Sequence, residues 1–268
     1  MKAIKQFRVT KQTRIKDQDA EQKPLSGGDK TKDKEQVAEL AAQIGVQQEI
    51  LYAGQQHKLL VVLQGIDTSG KDGTVNGVFS GVNPQGIRIV SFKAPSSIEL
   101  AHDYLWRVHQ QVPQKGEIAV FNRSHYEDVL VTRVHDWIDD SECQRRYAQI
   151  CDFERMLAET GTTIIKCLLH ISKDEQRSRL QERIDDPSKH WKFDMQDLEE
   201  RKYWDAYQQL FGQAMQATDA DHAPWYLIPA NSKTHRNLAI ASIVLETLND
   251  LKLALPEPKP ELSGLVIK

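Results

Sequence analysis

The ten residues Gly65-Ile66-Asp67-Thr68-Ser69-Gly70-Lys71-Asp72-Gly73-Thr74 constrain this chain more than any other stretch. They satisfy G-x-x-x-x-G-K, the loop whose backbone N–H groups wrap phosphate oxygens while a lysine reaches the outer phosphates. The β-branched run Leu59-Leu60-Val61-Val62-Leu63 precedes the loop, and the helix-compatible residues Val75 to Val82 follow it. That order predicts a strand, a phosphate cradle and a helix N-terminus that favours anions. An isolated glycine-rich turn is the competing reading. One position departs from the usual pattern: Asp72 stands where Ser or Thr would hold Mg²⁺, so a metal must be held otherwise. Asp67 is the candidate, because a carboxylate inside a phosphate loop repels its ligand unless a divalent cation lies between them.

A chain of 268 residues suffices for one large α/β domain and is short for two. The net charge of −3 gives no case for nucleic-acid or membrane binding, so partners must be argued locally. Cys143, Cys151 and Cys167 form no C-x-x-C pair and read as reduced thiols. The start, Met1 to Gln6, has no apolar core of signal-peptide type, and no segment reaches the roughly 18 apolar residues of a membrane span. These features point to a soluble, cytoplasmic protein.

Residues 1–34 are polar and lysine-rich around Pro24-Leu25-Ser26-Gly27-Gly28, and predict a flexible arm. From Lys34 to Ala53, the spacing of Val37, Leu40, Ile44, Ile50 and Leu51 then gives a leading helix. Strands are expected at 59–63, 87–93, 117–121, 163–170 and 225–229. Helices are expected between them, one of them capped by Ser96 and running through Leu100, Tyr104 and Val108. A helix follows Asp194 to about Ala217, another runs from Lys233 through Leu251, and residues 253–268 form a Pro-rich tail. Alternating strands and helices predict an α/β fold, a three-layer sandwich whose five-stranded parallel sheet has right-handed crossovers. The catalytic domain would span 35–252.

Phosphoryl transfer needs a cradle, a metal, cations for developing charge and a group that orients the acceptor. Gly65 to Lys71 supply the cradle, through Thr68, Ser69 and Gly70, with Asp72, Gly73 and Thr74 opening the helix. The third strand ends in Asn122-Arg123-Ser124-His125-Tyr126-Glu127-Asp128, at the carboxyl edge where α/β sheets bind ligands. Arg123 would hold a phosphate or form a structural salt bridge. Glu127 and Asp128 would serve the metal or acceptor, or simply begin a helix as solvated carboxylates. Arg179 and Arg183 share a helix face, Pro187 ends that helix, and Lys189 and Lys192 follow. This is either a solvated basic face offset by Glu175, Glu182 and Asp186, or a helical lid at about 177–195 that brings cations to the transferring group. Lys93 and Arg107 flank the segment after strand two, where an acceptor would bind. His102, His109, His125 and His135 lack metal-ligand spacing, and Trp191, Trp204 and Trp225 read as core, lid or base-stacking residues.

The segments GIDTSGKDGT, FNRSHYEDVLVTRVH, ERIDDPSKHWKFD, RKYWDAY and APWYLIPA resemble the polyphosphate kinase 2 family, in the family's order, over roughly residues 35–250. The resemblance implies a P-loop kinase fold and transfer of a terminal phosphoryl group between inorganic polyphosphate and a nucleotide, with Mg²⁺ or alternatively Mn²⁺. It implies Asp67 on the metal, with Asp128 as a second candidate. Lys71 and Arg123 would hold phosphates, and Arg179, Arg183, Lys189, Lys192 and Arg133 would line the polyphosphate path. Members restricted to nucleoside diphosphates tend to read Asp-Arg-Ser-Trp-Tyr-Asn-Arg in the second motif, whereas Asn122 to Asp128 resembles the subgroup that accepts AMP as well as ADP.

The expected activity is therefore a reversible, direct in-line transfer between polyphosphate and AMP, ADP or ATP, with no covalent enzyme intermediate. An ATP-dependent nucleoside or nucleotide kinase and a non-catalytic nucleotide-binding regulator are the alternatives. The family precedent implies a homodimer or homotetramer.

Overall fold

A computed structural model describes residues 2–262 and 265–267; Met1 of the expected arm and positions 263, 264 and 268 of the expected tail lie outside the described residues. Five parallel strands form the sheet: β1 Lys58–Gln64, β2 Ile87–Ser91, β3 Ile118–Asn122, β4 Thr162–His170 and β5 Trp225–Pro229, in the order β2-β3-β1-β4-β5. Eleven helices connect or flank them among the described residues: α1 Ala3–Phe7, α2 Lys30–Gly54, α3 Lys71–Val78, α4 Ser97–Leu100, α5 Trp106–His109, α6 Glu127–Val134, α7 Asp140–Glu159, α8 Lys173–Asp185, α9 Met195–Arg201, α10 Trp204–Thr218 and α11 Lys233–Asp250. β1 sits at the centre, with Leu59 to Leu63 fully buried, because a parallel strand covered on both faces reads as one apolar run. In register, Leu63 lies beside Asn122 of β3 and Cys167 of β4, so the loops after these strands open side by side.

Local chemistry moved several boundaries. Asp29 accepts from Thr31 N and Lys32 N, starting α2 four residues before Lys34. The helix expected after Ser96 divides into α4 and α5, because the Asp103 carboxylate accepts from Leu105 N and turns the chain. The helix after Asp194 divides into α9 and α10, since the N–H groups of Lys202 and Tyr203 bond back only three residues, to Glu199 and Glu200.

Residues 3–20 pack onto the domain. Ala3, Phe7 and Val9 are buried in the core, and Glu246 of α11 accepts from Ala3 N and Ile4 N. Val9 N donates to Trp225 O and Arg8 pairs with Asp219, which covers the outer edge of β5. The strap then crosses the carboxyl ends of the strands: Lys16 O meets His170 Nε2, Asp17 accepts from Lys173 N, and the buried Ala20 accepts from Asn231 N. Sparse apolar residues among lysines hide this docking.

Candidate active site

A cavity of about 670 Å³ opens at the carboxyl edge of the sheet, and the segments after all five strands contribute to it. The loop after β1 carries the cradle. Gly65 and Gly70 have φ of +153° and +100°, and the Arg236 guanidinium lies where a Cβ on Gly70 would project, so the sequence needs glycine there. Thr68 has φ of +67° and Arg123 has φ of +62°, conformations that cost a non-glycine residue on the order of 1 kcal/mol each. Both strained residues line the cavity.

Lys71 donates from Nζ to Gly65 O at 2.6 Å and to Ile66 O at 3.3 Å. Burial pushes its ammonium pKa down, and nearby Arg123 adds to that. Arg123 Nη2 donates to Asp67 Oδ1 at 2.6 Å, and Nη1 lies 4.0 Å from Glu127. Burial works against the Arg123 charge, but Glu127 and Asp67 outweigh it and hold the guanidinium above its ordinary pKa. Asn122 Nδ2 donates to Asp72 Oδ1 at 2.5 Å, tying the end of β3 to the start of α3. Glu127 accepts from Gln64 Nε2 at 2.8 Å, so its carboxylate is fixed at the end of β1. Lys93, in the segment after β2, lines the same cavity.

The segment expected to form a lid comprises α8, a 3₁₀ turn at Pro187–Lys192, and α9. Ser172 caps α8 at Glu175 N, while Asp186 and Pro187 end it. Arg183, Lys189 and Lys192 face the cavity, with Arg183 donating to Lys192 O at 2.8 Å and to Asp197 at 3.1 Å. Burial, with Asp67 adding, raises the Asp197 carboxyl to about 6. Arg179 also borders the cavity, yet it is buried and its donors are committed. It bonds Glu175, the loop carbonyls of Thr68 and Ser69, and the carbonyls of Ala230 and Asn231. It braces the cradle.

Arg133, Asp128, Glu127 and Arg107, and the loop residues Gly65, Ser69 and Thr74, are not among the residues that line the cavity. Arg133 is held by Asp136 and Asp140 and is not among the cavity residues, because its helical position turns it toward the start of α7. Asp128 is likewise outside the cavity: its Oδ2 has no hydrogen-bond partner and faces Arg107 Nη2 at 3.9 Å. Burial raises its carboxyl to about 6, against the pull of Arg107 and Arg146. Arg107 itself is buried and donates to Lys93 O, so it positions the backbone beside the cavity.

Sequence reasoning missed Arg236, Lys233 and Asp197. Arg236 of α11 is buried, donates to Ser69 O at 3.3 Å, and has its pKa lowered to about 9 by burial and by Arg179. The polar run Asn231-Ser232-Lys233 after β5 was the available signal. With these, nine lysines and arginines line the cavity against the four carboxylates Asp67, Asp72, Glu182 and Asp197, in a chain of net charge −3. Such a concentration of cations above a phosphate cradle suits a long polyanion.

A buried ionic network supports the second motif from behind. Lys166 of β4 donates to Glu154 at 2.5 Å, to Tyr126 Oη at 2.9 Å and to Thr218 O at 2.8 Å, and His125 Nε2 meets Glu154 at 3.2 Å. Burial opposes ionisation of Glu154, but Lys166 and His125 outweigh it and hold the carboxyl below its ordinary range. This network anchors His125 and Tyr126, two and three residues past Arg123.

The Polyphosphate kinase 2 family model matches residues 27–255. The chain belongs to the polyphosphate kinase 2 family. Among the family's curated proteins it is 55% identical to the AMP/ADP-polyphosphate phosphotransferase of Meiothermus ruber, over 87% of this chain and 88% of that protein. It is 44% identical to the ADP-polyphosphate phosphotransferase of Rhodopseudomonas palustris, over 80% and 78% respectively. The crystal structure of polyphosphate kinase 2 from Arthrobacter aurescens TC1 superposes with a TM-score of 0.96 at 42% identity, over 98% of this chain and 95% of that one. The family's P-loop kinase-like fold is the one described above. In that fold the cradle, Arg123 and the lid cations converge on one cavity.

Proposed function

We propose that this chain transfers the terminal phosphoryl group of inorganic polyphosphate to AMP and to ADP, reversibly, by direct in-line transfer. The observation that carries the reading is the Asp67–Arg123 contact at 2.6 Å inside a cavity rich in lysine and arginine. It supports a site in which a carboxylate that would hold a divalent cation and a guanidinium that would meet developing charge stand beside Lys71. The names of the Meiothermus ruber and Rhodopseudomonas palustris relatives support polyphosphate as donor, and the former supports AMP beside ADP as acceptor.

Among the described residues no group of three or more His, Cys, Asp or Glu could hold a metal alone. Asp67 fits Mg²⁺ or Mn²⁺ in the way Mg²⁺ is usually held by phosphate sites, through one carboxylate with phosphate oxygens and water completing the shell. When bound, the ion would neutralise phosphate charge. Lys71 and the loop N–H groups hold the phosphates at the transfer point, Arg123 meets the equatorial charge, and Arg183 brings the lid's charge over the site. Arg179 and Arg236 keep the loop carbonyls turned away from the phosphates. Glu127, fixed by Gln64 and 4.0 Å from Arg123, would act on the acceptor side through that guanidinium. Among the described residues no histidine lines the cavity, which supports transfer without a phosphoenzyme.

Among the described residues no helix is long and apolar enough to cross a membrane. Cys143, Cys151 and Cys167 are free thiols, which supports placement in the cytoplasm. The exposed Ile89 on edge strand β2, with Ile98 and Leu100 nearby in sequence, supports assembly as a homodimer or homotetramer. A single turnover with labelled polyphosphate tests the mechanism: label passes to nucleotide without a labelled protein band, and a labelled band that chases into nucleotide would sink direct transfer.

A further inference from the structure

The active-site cavity is not closed at the lid. A second groove of about 580 Å³ runs along α8, lined by Arg177, Ser178, Gln181, Asp185 and Asp186, and shares Glu182 and Lys189 with the active-site cavity. Glu182 therefore stands where one space passes into the other. Its Oε1 accepts from Lys189 Nζ at 2.7 Å and its Oε2 from Lys233 Nζ at 3.4 Å. Lys189 belongs to the lid turn and Lys233 opens α11, so one carboxylate ties the lid to the body of the domain.

The other three carboxylates of the cavity sit at the reaction end. Asp67 holds Arg123, Asp72 holds Asn122 and Asp197 holds Arg183. Glu182 alone among them occupies the ammonium groups that a chain leaving the cavity would meet. Lys189 and Lys233 also hold its carboxyl below the ordinary range, so it stays charged at neutral pH. A polyanion that extends past the cavity must take Lys233 from Glu182, and Lys189 from both Glu182 and Asp186, whose Oδ2 lies 2.8 Å from that ammonium, and must lie beside their negative charge. A short donor seated on Lys71 and Arg123 brings less negative charge against it than a long chain does.

We propose that Glu182 is a length-sensing gate, a carboxylate that sets how readily a long polyanionic donor threads from the catalytic cavity along the lid. The gate rests on polyphosphate being the donor. It is a specificity residue and takes no part in bond making.

The test compares wild type with Glu182→Gln in steady state with AMP, using long-chain polyphosphate and tripolyphosphate, the latter as a Ki where it is not turned over. The glutamine keeps the length and polarity of the side chain and removes the charge, and thermal melting checks the fold. The expected result is a KM for the long chain lowered about two- to fivefold, the size of an exposed ion-pair exchange, with the constant for tripolyphosphate unchanged. An unchanged or raised KM for the long chain, or an equal shift for both donors, overturns the gate while leaving the donor assignment intact. Failure of wild type to use either polyphosphate overturns the donor assignment and the gate together.

Discussion

Arg123 Nη2 donates to Asp67 Oδ1 at 2.6 Å, and this contact joins the loop after β1 to the loop after β3 across the mouth of the cavity. Asp67 is the carboxylate that the phosphate loop should not tolerate, and its partner has φ of +62° to reach it. Replacing Asp67 by Asn keeps the shape and removes the charge. Turnover is expected to fall by about 10²–10³-fold or more, with the melting temperature little changed. Near-normal activity in a coupled ATP-formation assay would refute the metal-holding role.

Arg179 distinguishes a brace from a donor contact. Its guanidinium holds four backbone carbonyls, two of them in the phosphate loop. Arg179→Lys cannot span them and is expected to cost about 2–3 kcal/mol of stability by urea unfolding. A variant as stable as wild type but with reduced kcat would return Arg179 to the donor path.

The Lys166–Glu154 pair is fully buried, so removing one partner strands the other charge. Glu154→Gln is expected to cost about 3–5 kcal/mol, whereas the double change Glu154→Gln with Lys166→Met should recover part of the loss. A double-mutant cycle on unfolding free energies checks this. Additive losses would contradict the coupling.

Asp128 predicts a pH dependence. Its folded carboxyl is raised to about 6 from an ordinary value near 3.8, chiefly by burial. Protonated Asp128 is therefore favoured by folding. The stability it contributes is full below about pH 4 and is lost as pH rises through about 6. Asp128→Asn should therefore be more stable than wild type by about 1–3 kcal/mol at pH 8 and by about half as much at pH 5. Denaturant titrations at the two pH values measure the difference, and an advantage that is larger at pH 5 would reverse the sign.

Much of this was legible in the sequence because the physics was local. β1 and β5 read as continuous apolar runs bounded by polar residues, and the cradle declared itself by spacing and context. The convergence of Asn122, Arg123 and Glu127 on the cradle followed from the rule that ligands bind at the carboxyl ends of parallel strands. The same rule, applied to Asn231-Ser232-Lys233 after β5, leads to Lys233 and Arg236. What stayed hidden depends on long-range packing. Helical spacing placed Arg179 and Arg183 on one face, but burial divides their roles: Arg179 is covered by two loops, whereas Arg183 remains at the cavity. Lys166 inside the apolar strand Ile164-Ile165-Lys166-Cys167 did carry a signal, since a charge in a buried strand demands a buried partner. Only the fold identifies that partner as Glu154. The N-terminal strap escaped because Phe7 and Val9 dock singly among lysines, without a period to read.

The central claim is the donor. Purified protein incubated with AMP, Mg²⁺ and long-chain polyphosphate, with no ATP present, should form ADP and then ATP as resolved by anion-exchange chromatography. If AMP is left unchanged under these conditions but is phosphorylated once ATP is supplied, the chain is an ATP-dependent nucleotide kinase and the account is contradicted.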